Sequence, residues 1–491
     1  MLSHLPILQV ILPLLGAPAC LILGRGKLAW LFALLISALS FCIAAMLLHT
    51  VYHHGVISYA LGGWQAPWGI EYRIDLLNAW LLLIVSGSST VALLAAQSSI
   101  NVEIAPEKQT IFFVAWLLCL AGLLGILATG DAFNVFVFLE VSSLSTYTLI
   151  SLGPKRESLW AAFRYLIMGT IGATFILIGI GLMYIMTGTL NMQDLAQRLP
   201  LASDSSTVFT AYAFILVGIS LKLALFPLHL WLPNAYTHAP SIVTTFLAAS
   251  ATKVALYLMI RFTYTVFPSH FSQIDIPLEE IFIVLGITGV IGASIAAIYQ
   301  AEVKRAIAYS SVAQVGYMVV GLGIGGVLGL QATLLHVFNH ALMKATLFMA
   351  LAAIACRIGA TTLTSMQGLG RKMPWTSFGF VVGGLSIIGV PLTAGFISKW
   401  YLVSAAALSD RWLLVLLIMI GSLLAIVYIW RVVEALYFKP ATDSKPLKEA
   451  PLAMLLALWL LVFGNIYFGI DTRLPVSISA EAAIALQEGR P

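Results

Sequence analysis

Lysines within long apolar segments are the residues of this sequence with the clearest chemistry. Lys222 lies in the middle of an apolar stretch, and Pro227 and Pro233 follow it within eleven residues. A second apolar stretch begins near Ser241 and contains Lys253. Proline interrupts a helix, and an ionisable side chain is costly in hydrocarbon and usually marks an ion path. Residues 219–253 therefore predict a broken helix at the centre of a proton- or cation-translocating membrane protein.

A second broken stretch contains another lysine. Pro391 interrupts an apolar segment, and Lys399 follows eight residues later. Many transporters contain inverted repeats, whose broken helices place the ion site near the middle of the membrane. Lysine suits proton transfer because its proton affinity responds to burial, whereas arginine stays charged. We therefore expect Lys222, Lys253 and Lys399 to take up and release protons.

Glu140 is the only carboxylate that we place deep within an apolar segment. A carboxylate at this depth needs a cationic partner or takes up a proton. We predict that Glu140 pairs with Lys222 and tunes its affinity for protons. The alternative is a static ion pair that holds two helices together.

His336, His340 and Lys344 share one helical face because they are four residues apart. Histidine titrates near neutral pH, so an intramembrane proton relay is the leading interpretation. Hydrogen bonds between packed helices and a metal site are the alternatives, although the glutamate of the zinc-protease motif is missing. For Lys344, snorkelling to the membrane surface is a further alternative.

His229 and His238 flank the first helix break. They could pass protons between the channel centre and one aqueous face. Capping of the broken helix is an equally strong interpretation for both.

The composition excludes a soluble protein. Of 491 residues, 60% are apolar and 9% are charged, whereas soluble proteins carry about 25% charged residues. We predict an all-α, polytopic membrane protein that forms one integral membrane domain over residues 1–491. Its fourteen predicted spans are 5–24, 28–50, 77–97, 110–129, 131–152, 162–187, 208–231, 241–267, 280–300, 306–326, 328–356, 377–403, 411–438 and 450–470.

The basic residues outside the spans are distributed unevenly between the two predicted faces. The positive-inside rule assigns the richer face to the cytoplasm, and both termini then lie on the outer, periplasmic side of the cell membrane. The richer face contains Arg25, Lys27, Lys108, Lys155, Arg156, Arg164, Lys304, Arg305, Arg357, Arg371, Lys372, Arg431, Lys439, Lys445 and Lys448. The poorer face contains Arg73, Arg198, Arg261, Arg411, Arg473 and Arg490.

Several stretches resemble the antiporter-like subunits shared by respiratory complex I, membrane-bound hydrogenases and Mrp-type sodium/proton antiporters. Together they cover roughly residues 110–405, and they are FNVFVFLEVSSLSTY, LKLALFPLHLWLPNAYTHAPS, SATKVALYL, VKRAIAYSSVAQVGYM, HVFNHALMKATLFM and GVPLTAGFISKWYL.

The resemblance implies fourteen helices with two inverted five-helix repeats, over 110–267 and 280–438, and with broken helices 7 and 12. It also implies the Glu140–Lys222 pair, a central relay at Lys253 and the histidines of the eleventh helix. Lys399 would be the terminal group of the second channel.

The stretches SSLSTY and GFISKWYL look most like the D-type subunits of Mrp antiporters. The largest family subunits have a long C-terminal extension, whereas about twenty residues follow the last predicted span here. One complex I subunit has a glutamate where this chain has Lys399. The sequence departs from many relatives at Tyr236-Thr237-His238, where an acidic residue or a histidine lies nearer the start of this motif.

The implied function is proton translocation within a multisubunit Na⁺/H⁺ antiporter. Its partners would be other membrane subunits, H⁺, Na⁺ and the lipid bilayer, with no nucleic acid, cofactor or metal and no covalent chemistry of its own. One alternative is a proton-pumping subunit of a redox complex, such as an NADH:quinone oxidoreductase or a membrane-bound hydrogenase. A second alternative is a non-conducting scaffold.

Overall fold

The computed structural model describes residues 4–24, 26–202, 205–267, 277–441 and 447–489. Arg25, Lys445 and Arg490, which contributed to the predicted orientation, lie outside these ranges. The described residues form nineteen α-helices and one two-stranded antiparallel sheet. The helices are α1 Leu5–Ile22, α2 Lys27–His54, α3 Leu76–Glu103, α4 Gln109–Ala128, α5 Ala132–Ser151, α6 Glu157–Thr187, α7 Met192–Arg198, α8 Ser206–Leu223, α9 Trp231–His238, α10 Ser241–Arg261, α11 Leu278–Ile298, α12 Val303–Ile324, α13 Gly326–Ile358, α14 Leu369–Lys372, α15 Pro374–Ile388, α16 Ala394–Leu408, α17 Trp412–Val433, α18 Leu452–Ile470 and α19 Arg473–Gln487.

The predicted all-α, polytopic membrane architecture is confirmed. Thirteen of the described helices are long and apolar enough to cross a membrane. The shorter apolar helices α15 and α16 have 15 residues each and together occupy the predicted span 377–403. Counted as one broken span, they bring the number of spans to the predicted fourteen.

The first predicted break lies between α8 and α9. α8 ends at Leu223, and Ala224 adopts the left-handed conformation with φ 58°. The helix therefore ends before Pro227 is reached. A proline has no backbone N–H to donate to the carbonyl four residues earlier, and it disfavours the helical conformation in the residue before it. Pro233 lies in the first turn of α9, where a missing N–H is tolerated, so it does not interrupt the helix.

The second predicted break separates α15 from α16. α15 ends at Ile388, and Gly389 and Leu392 have φ values of 90° and 70°. Pro391 lies between them in the turn, and α16 begins at Ala394. Both predicted breaks are therefore present near their prolines.

Backbone contacts recur along the chain with a constant offset of 171 residues. In each half, two backbone hydrogen bonds tie the start of one span to the end of the next, and a left-handed glycine closes the second span. The first hydrogen bond joins Ala132 N to Leu190 O in one half and Val303 N to Thr361 O in the other. The second joins Met192 N to Gly130 O in one half and Leu363 N to Ala301 O in the other. The matching glycines are Gly188 and Gly359. Five spans separate positions 132 and 303, so the matched ends lie on opposite faces. The exact repeat boundaries, 110–267 and 280–438, stay a prediction.

The spans differ in burial, and the most enclosed ones form the centre of the bundle. In both Ser241–Val266 and Val303–Ile324, 94% of the most apolar window is buried, against 33% in Trp412–Phe438. α10 and α12 are therefore surrounded by protein.

The sequence prediction missed several elements outside the spans, among them α7, α14, a hairpin and α19. The polar stretch 51–76 contains a short hairpin, in which Ile57–Ala60 (β1) pairs with Glu71–Ile74 (β2). The segment after the last span forms α19, whose buried residues pack against α13. Short strands and a helix with a narrow apolar face give weak sequence signals.

Candidate functional site

Lys222 lies in the last turn of α8 and is 7% exposed. Its ammonium donates a hydrogen bond to the hydroxyl of Ser143 on α5 at 2.7 Å. The predicted partner Glu140 is three residues earlier on α5, half-buried, and interacts electrostatically with Lys222. No ion pair between Glu140 and Lys222 is formed in the part of the chain that the structure describes. Glu140 therefore interacts with Lys222 through space, and the direct contact of the Lys222 ammonium is Ser143.

Lys253 lies on the enclosed helix α10 and is fully buried. Its ammonium donates to the backbone carbonyl of Ala248 in the same helix. No carboxylate pairs with it among the described residues. A charged lysine in this position lacks the compensation that a buried ion normally needs.

Lys344 on α13 does not snorkel to the membrane surface. The side chain is fully buried, and its ammonium donates to the carbonyl of Ile307 at 2.8 Å and to the hydroxyl of Ser310. Both acceptors belong to α12, so the ammonium points into the bundle. This contradicts snorkelling, which the sequence left open for this residue.

The predicted histidine pair is present on α13. The rings of His336 and His340 are nearly parallel, with centroids 6.0 Å apart. His336 contacts Gln314 Oε1 through Nε2 at 3.0 Å and Ser398 Oγ through Nδ1 at 2.8 Å. Because Oε1 only accepts, Nε2 donates, and Nδ1 of the neutral ring accepts from the hydroxyl of Ser398.

His340 differs from His336 because neither ring nitrogen has a hydrogen-bond partner among the described residues. The side chain is nevertheless fully buried. Buried polar groups are rarely left without a partner, and those that are usually have a functional reason. The ring nitrogens of His340 are therefore not held by hydrogen bonds among the described residues, whereas His336 is held on both sides.

Lys399 bridges the second helix break. Its ammonium donates to the carbonyls of Ile387 and Ile388 at 2.8 and 3.1 Å, and to Ser422 Oγ at 3.0 Å. It also lies 4.8 Å from the centre of the Tyr317 ring. The two carbonyls end α15, where they have no intrahelical donor and where the helix dipole favours a cation.

The structure gathers the predicted groups into two clusters. Lys253 interacts electrostatically with both histidines and with Lys344, and Lys399 interacts with His336. These residues form the central cluster, defined as Lys253, His336, His340, Lys344 and Lys399. Lys222, Ser143 and Glu140 form the first-break cluster. No hydrogen bond or ion pair joins Lys222 to Lys253 within the described residues.

His229 precedes α9, and His238 is its last residue. The ring of His229 stacks on Phe226 with a centroid distance of 5.0 Å, and the side chain is 7% exposed. His238 is half-buried and lies close to charged residues, among them Glu157 and Lys304. Their role in proton uptake or release stays a prediction.

Two contacts of buried charged side chains were missed, because the sequence placed Lys304 and Arg261 at aqueous faces. Lys304 is 6% exposed and donates to the carbonyl of Ala239 at 2.6 Å. Arg261 forms an ion pair with Asp75 at 2.6 Å, and both side chains are buried. A charged residue near the end of a predicted span is assigned to the aqueous face by default. Its burial is seen only when the structure shows partners that are distant in the sequence.

Glu103 is a further residue that the sequence did not single out. Its carboxylate at the end of α3 accepts hydrogen bonds from the backbone N–H and the hydroxyl of Ser241, at 2.7 and 2.6 Å. Ser241 begins α10, so Glu103 caps the helix that carries Lys253. The sequence signal for this helix start was Ser241, which directly follows a proline. The acceptor Glu103 is 138 residues away in the sequence, so local patterns could not identify it.

Known proteins share the sequence pattern and the fold of this chain. Residues 129–425 match the family described as NADH:quinone oxidoreductase/Mrp antiporter, TM. The chain is 41% identical over 489 residues to the NADH-quinone oxidoreductase subunit N of Desulforudis audaxviator (strain MP104C), with 96% of each chain covered. It is 33% identical over 367 residues to the D subunit of the Na(+)/H(+) antiporter of Alkalihalophilus pseudofirmus, covering 74% of this chain and 72% of that one.

A solved structure shares the whole architecture. A chain of the membrane-bound sulfane sulfur reductase, an archaeal respiratory membrane complex, superposes with a TM-score of 0.90 at 32% identity. The similarity covers 99% of this chain and 98% of that one. The family match alone spans more than half of this chain and includes both clusters of buried ionisable groups. This chain therefore belongs to the NADH:quinone oxidoreductase/Mrp antiporter family of polytopic membrane proteins.

Proposed function

We propose that this chain is the proton-translocating subunit of a multisubunit Na⁺/H⁺ antiporter, similar to the D-type subunit of Mrp antiporters. The observation that carries this proposal is the central cluster, in which three lysines and two histidines are buried without an ion-paired carboxylate among the described residues. A set of buried cations is costly to keep unless its members change protonation during function. The 33% identity to a protein named as the D subunit of a Na(+)/H(+) antiporter supports the same conclusion.

Protons would move by rearrangement of charge, without covalent chemistry. In the first-break cluster, Lys222 would exchange its proton while Glu140 and Ser143 hold its ammonium form. In the central cluster, Lys253 would pass charge through His340 and His336. Lys399 would then accept the proton and release it when its ammonium leaves the carbonyls of α15. Water bound at the unpartnered nitrogens of His340 would supply the missing hydrogen bonds.

The same proposal includes the surroundings of the chain. Lys and Arg residues predict that both termini lie on the outer side of the cell membrane. The named relatives are subunits of larger assemblies, which supports other membrane subunits as partners. Sodium would pass through this chain or through a neighbouring subunit of the same complex.

The function is tested by transport in proteoliposomes that contain the whole complex. A sodium gradient should drive proton movement, reported by a pH-sensitive dye. Lys222→Met should abolish this movement and Glu140→Gln should strongly reduce it, with assembly intact. Wild-type transport in both variants would contradict the mechanism. Normal transport with Lys222, Lys253 and Lys399 all replaced by methionine would favour the scaffold alternative.

A second candidate is a proton-pumping subunit of a redox complex. It is favoured by the 41% identity to an NADH-quinone oxidoreductase subunit N and by the similarity to a chain of a respiratory membrane complex. Affinity purification of the chain from native membranes separates the two candidates. Copurified iron–sulfur, nickel or flavin proteins would identify the redox complex, whereas only small hydrophobic subunits and a larger antiporter-like subunit would identify the antiporter.

A further inference from the structure

A large apolar groove lies between α2, α3, α13 and α18, outside both clusters of ionisable groups. Its volume is about 580 Å³. The floor contains buried side chains such as Trp80 and Phe338, whereas Phe463 and Leu460 at the rim are 63% and 53% exposed. The groove therefore opens sideways, toward the hydrocarbon of the bilayer.

The length of the groove suits an acyl chain. Its wall on α3 runs from Trp80 to Leu94, which is roughly 21 Å at the helical rise per residue. A single hydrocarbon chain fits along this wall. This length exceeds the hydrocarbon of one bilayer leaflet, which is about 15 Å, so the acyl chain of a lipid in that leaflet can lie entirely within the groove.

One end of the groove continues into a second cavity that contains charged side chains. Tyr467, Phe468 and Leu474 line both cavities, and the second one, of about 500 Å³, also contains Asp471 and Arg473. Arg473 is highly exposed and donates hydrogen bonds to Asp471 at 2.7 and 2.9 Å. Hydrogen bonds from Arg473 lower the pKa of Asp471 to about 2, so the two side chains present opposite charges side by side at neutral pH.

We infer that this groove binds one phospholipid, with an acyl chain between α2, α3, α13 and α18 and a zwitterionic headgroup at Asp471 and Arg473. The headgroup phosphate would face the guanidinium of Arg473, and the headgroup ammonium would face the carboxylate of Asp471. A purely anionic headgroup would satisfy only one of the two charges. Ala341 and Ala345 in the wall of the groove adjoin His340 and Lys344 on α13.

The acyl chain is tested by filling the groove. Gly464 lines it, and a Cβ at this position would meet only the side chain of Leu342, at 3.4 Å. The purified complex is exchanged into vesicles of phosphatidylethanolamine and phosphatidylglycerol, extracted in mild detergent, and its retained lipids are counted by native mass spectrometry. We expect Gly464→Phe to lose one phospholipid relative to the wild type. The matched control is Leu416→Phe on α17, which is 56% exposed outside the groove and should lose none.

The headgroup is tested with separate variants. The inference can therefore still be disproved if Gly464→Phe fails to fold. The wild type should retain phosphatidylethanolamine at least about fivefold above its share in the vesicles, and Arg473→Gln and Asp471→Asn should each reduce this enrichment to the vesicle ratio. Equal lipid counts in Gly464→Phe and wild type would overturn the inference. A retained isoprenoid quinone, or detergent alone, in the wild type would also overturn it.

Discussion

The ammonium of Lys399 on α16 donates to the carbonyl of Ile387 on α15 at 2.8 Å, across the break between the two helices. The residue predicted to carry the proton therefore also closes the end of the preceding half-helix. When Lys399 loses its proton, the helix end loses its cation and one of the donors to its free carbonyls. We expect protonation of Lys399 and the geometry of the break to be coupled through this contact.

Replacing Lys399 by methionine, which has a similar length and no charge, should reduce proton transport at least about tenfold. The variant should also lower the apparent stability by about 1–3 kcal/mol, because the carbonyls of Ile387 and Ile388 lose their donor. Dye-monitored transport and thermal unfolding in detergent measure the two effects. Lys439→Met is the control, since Lys439 forms only an exposed pair with Glu434. Equal transport in both variants would refute a role for Lys399.

The glycine at the second break gives a test that leaves the lysine in place. A Cβ on Gly389 would approach Cδ of Lys399 to 2.9 Å, and its φ of 90° strains any other residue. Gly389→Ala should therefore displace the ammonium and reduce transport. Gly188→Ala is matched to it, because Gly188 has φ 70° and a Cβ there would meet nothing within 4 Å. Both variants should show a cost of about 1–2 kcal/mol in stability, but only Gly389→Ala should slow transport.

Ser143 should matter to Lys222 independently of Glu140. Ser143→Ala removes the direct contact of the ammonium, whereas Glu140→Gln removes only the distant charge. We expect each single variant to slow transport, and we expect the double variant to be slower than either. A double-mutant cycle of transport rates measures their coupling through Lys222. An unaffected rate in Ser143→Ala would show that the contact has no part in transport.

The two histidines should respond in opposite ways to replacement by leucine. His340→Leu removes a buried group without a protein partner among the described residues, so stability should be unchanged or higher while transport is lost. His336→Leu leaves Ser398 and Gln314 without their partner, so stability should fall by about 1–3 kcal/mol. Thermal unfolding in detergent separates the variants. A large loss of stability in His340→Leu would contradict its unpartnered state.

The buried ion pair between Asp75 and Arg261 should be a stability element. Arg261→Met alone should cost about 3–5 kcal/mol, because it leaves a buried carboxylate without its partner. Adding Asp75→Asn should recover much of this loss, since the amide can still accept from the N–H of Asn78 as the N-cap of α3. Arg198→Met is the exposed control, with an expected cost below about 1 kcal/mol. Failure of the double variant to recover would show that Arg261 acts through other contacts.

Local patterns determined the broken helices and the shared faces of the ionisable residues. Pro227 and Pro391 mark breaks that the structure contains, and the four-residue spacing of His336 and His340 places their rings in parallel contact. These features depend on helix periodicity and on the missing donor of proline, which act within a few residues. The sequence also determined the membrane architecture, because apolar length and charge density are properties of composition.

The tertiary structure alone decided which groups are in contact. It placed Ser143 rather than Glu140 on Lys222, turned Lys344 into the bundle and brought Asp75 to Arg261 across 186 residues. It also created the groove between four helices that are distant in sequence. Such contacts depend on how helices rotate and pack against one another, and each helix alone is compatible with many packings. The sequence by itself determined that this protein places lysines and histidines within apolar spans, and the packing of its helices decided which of them are in contact.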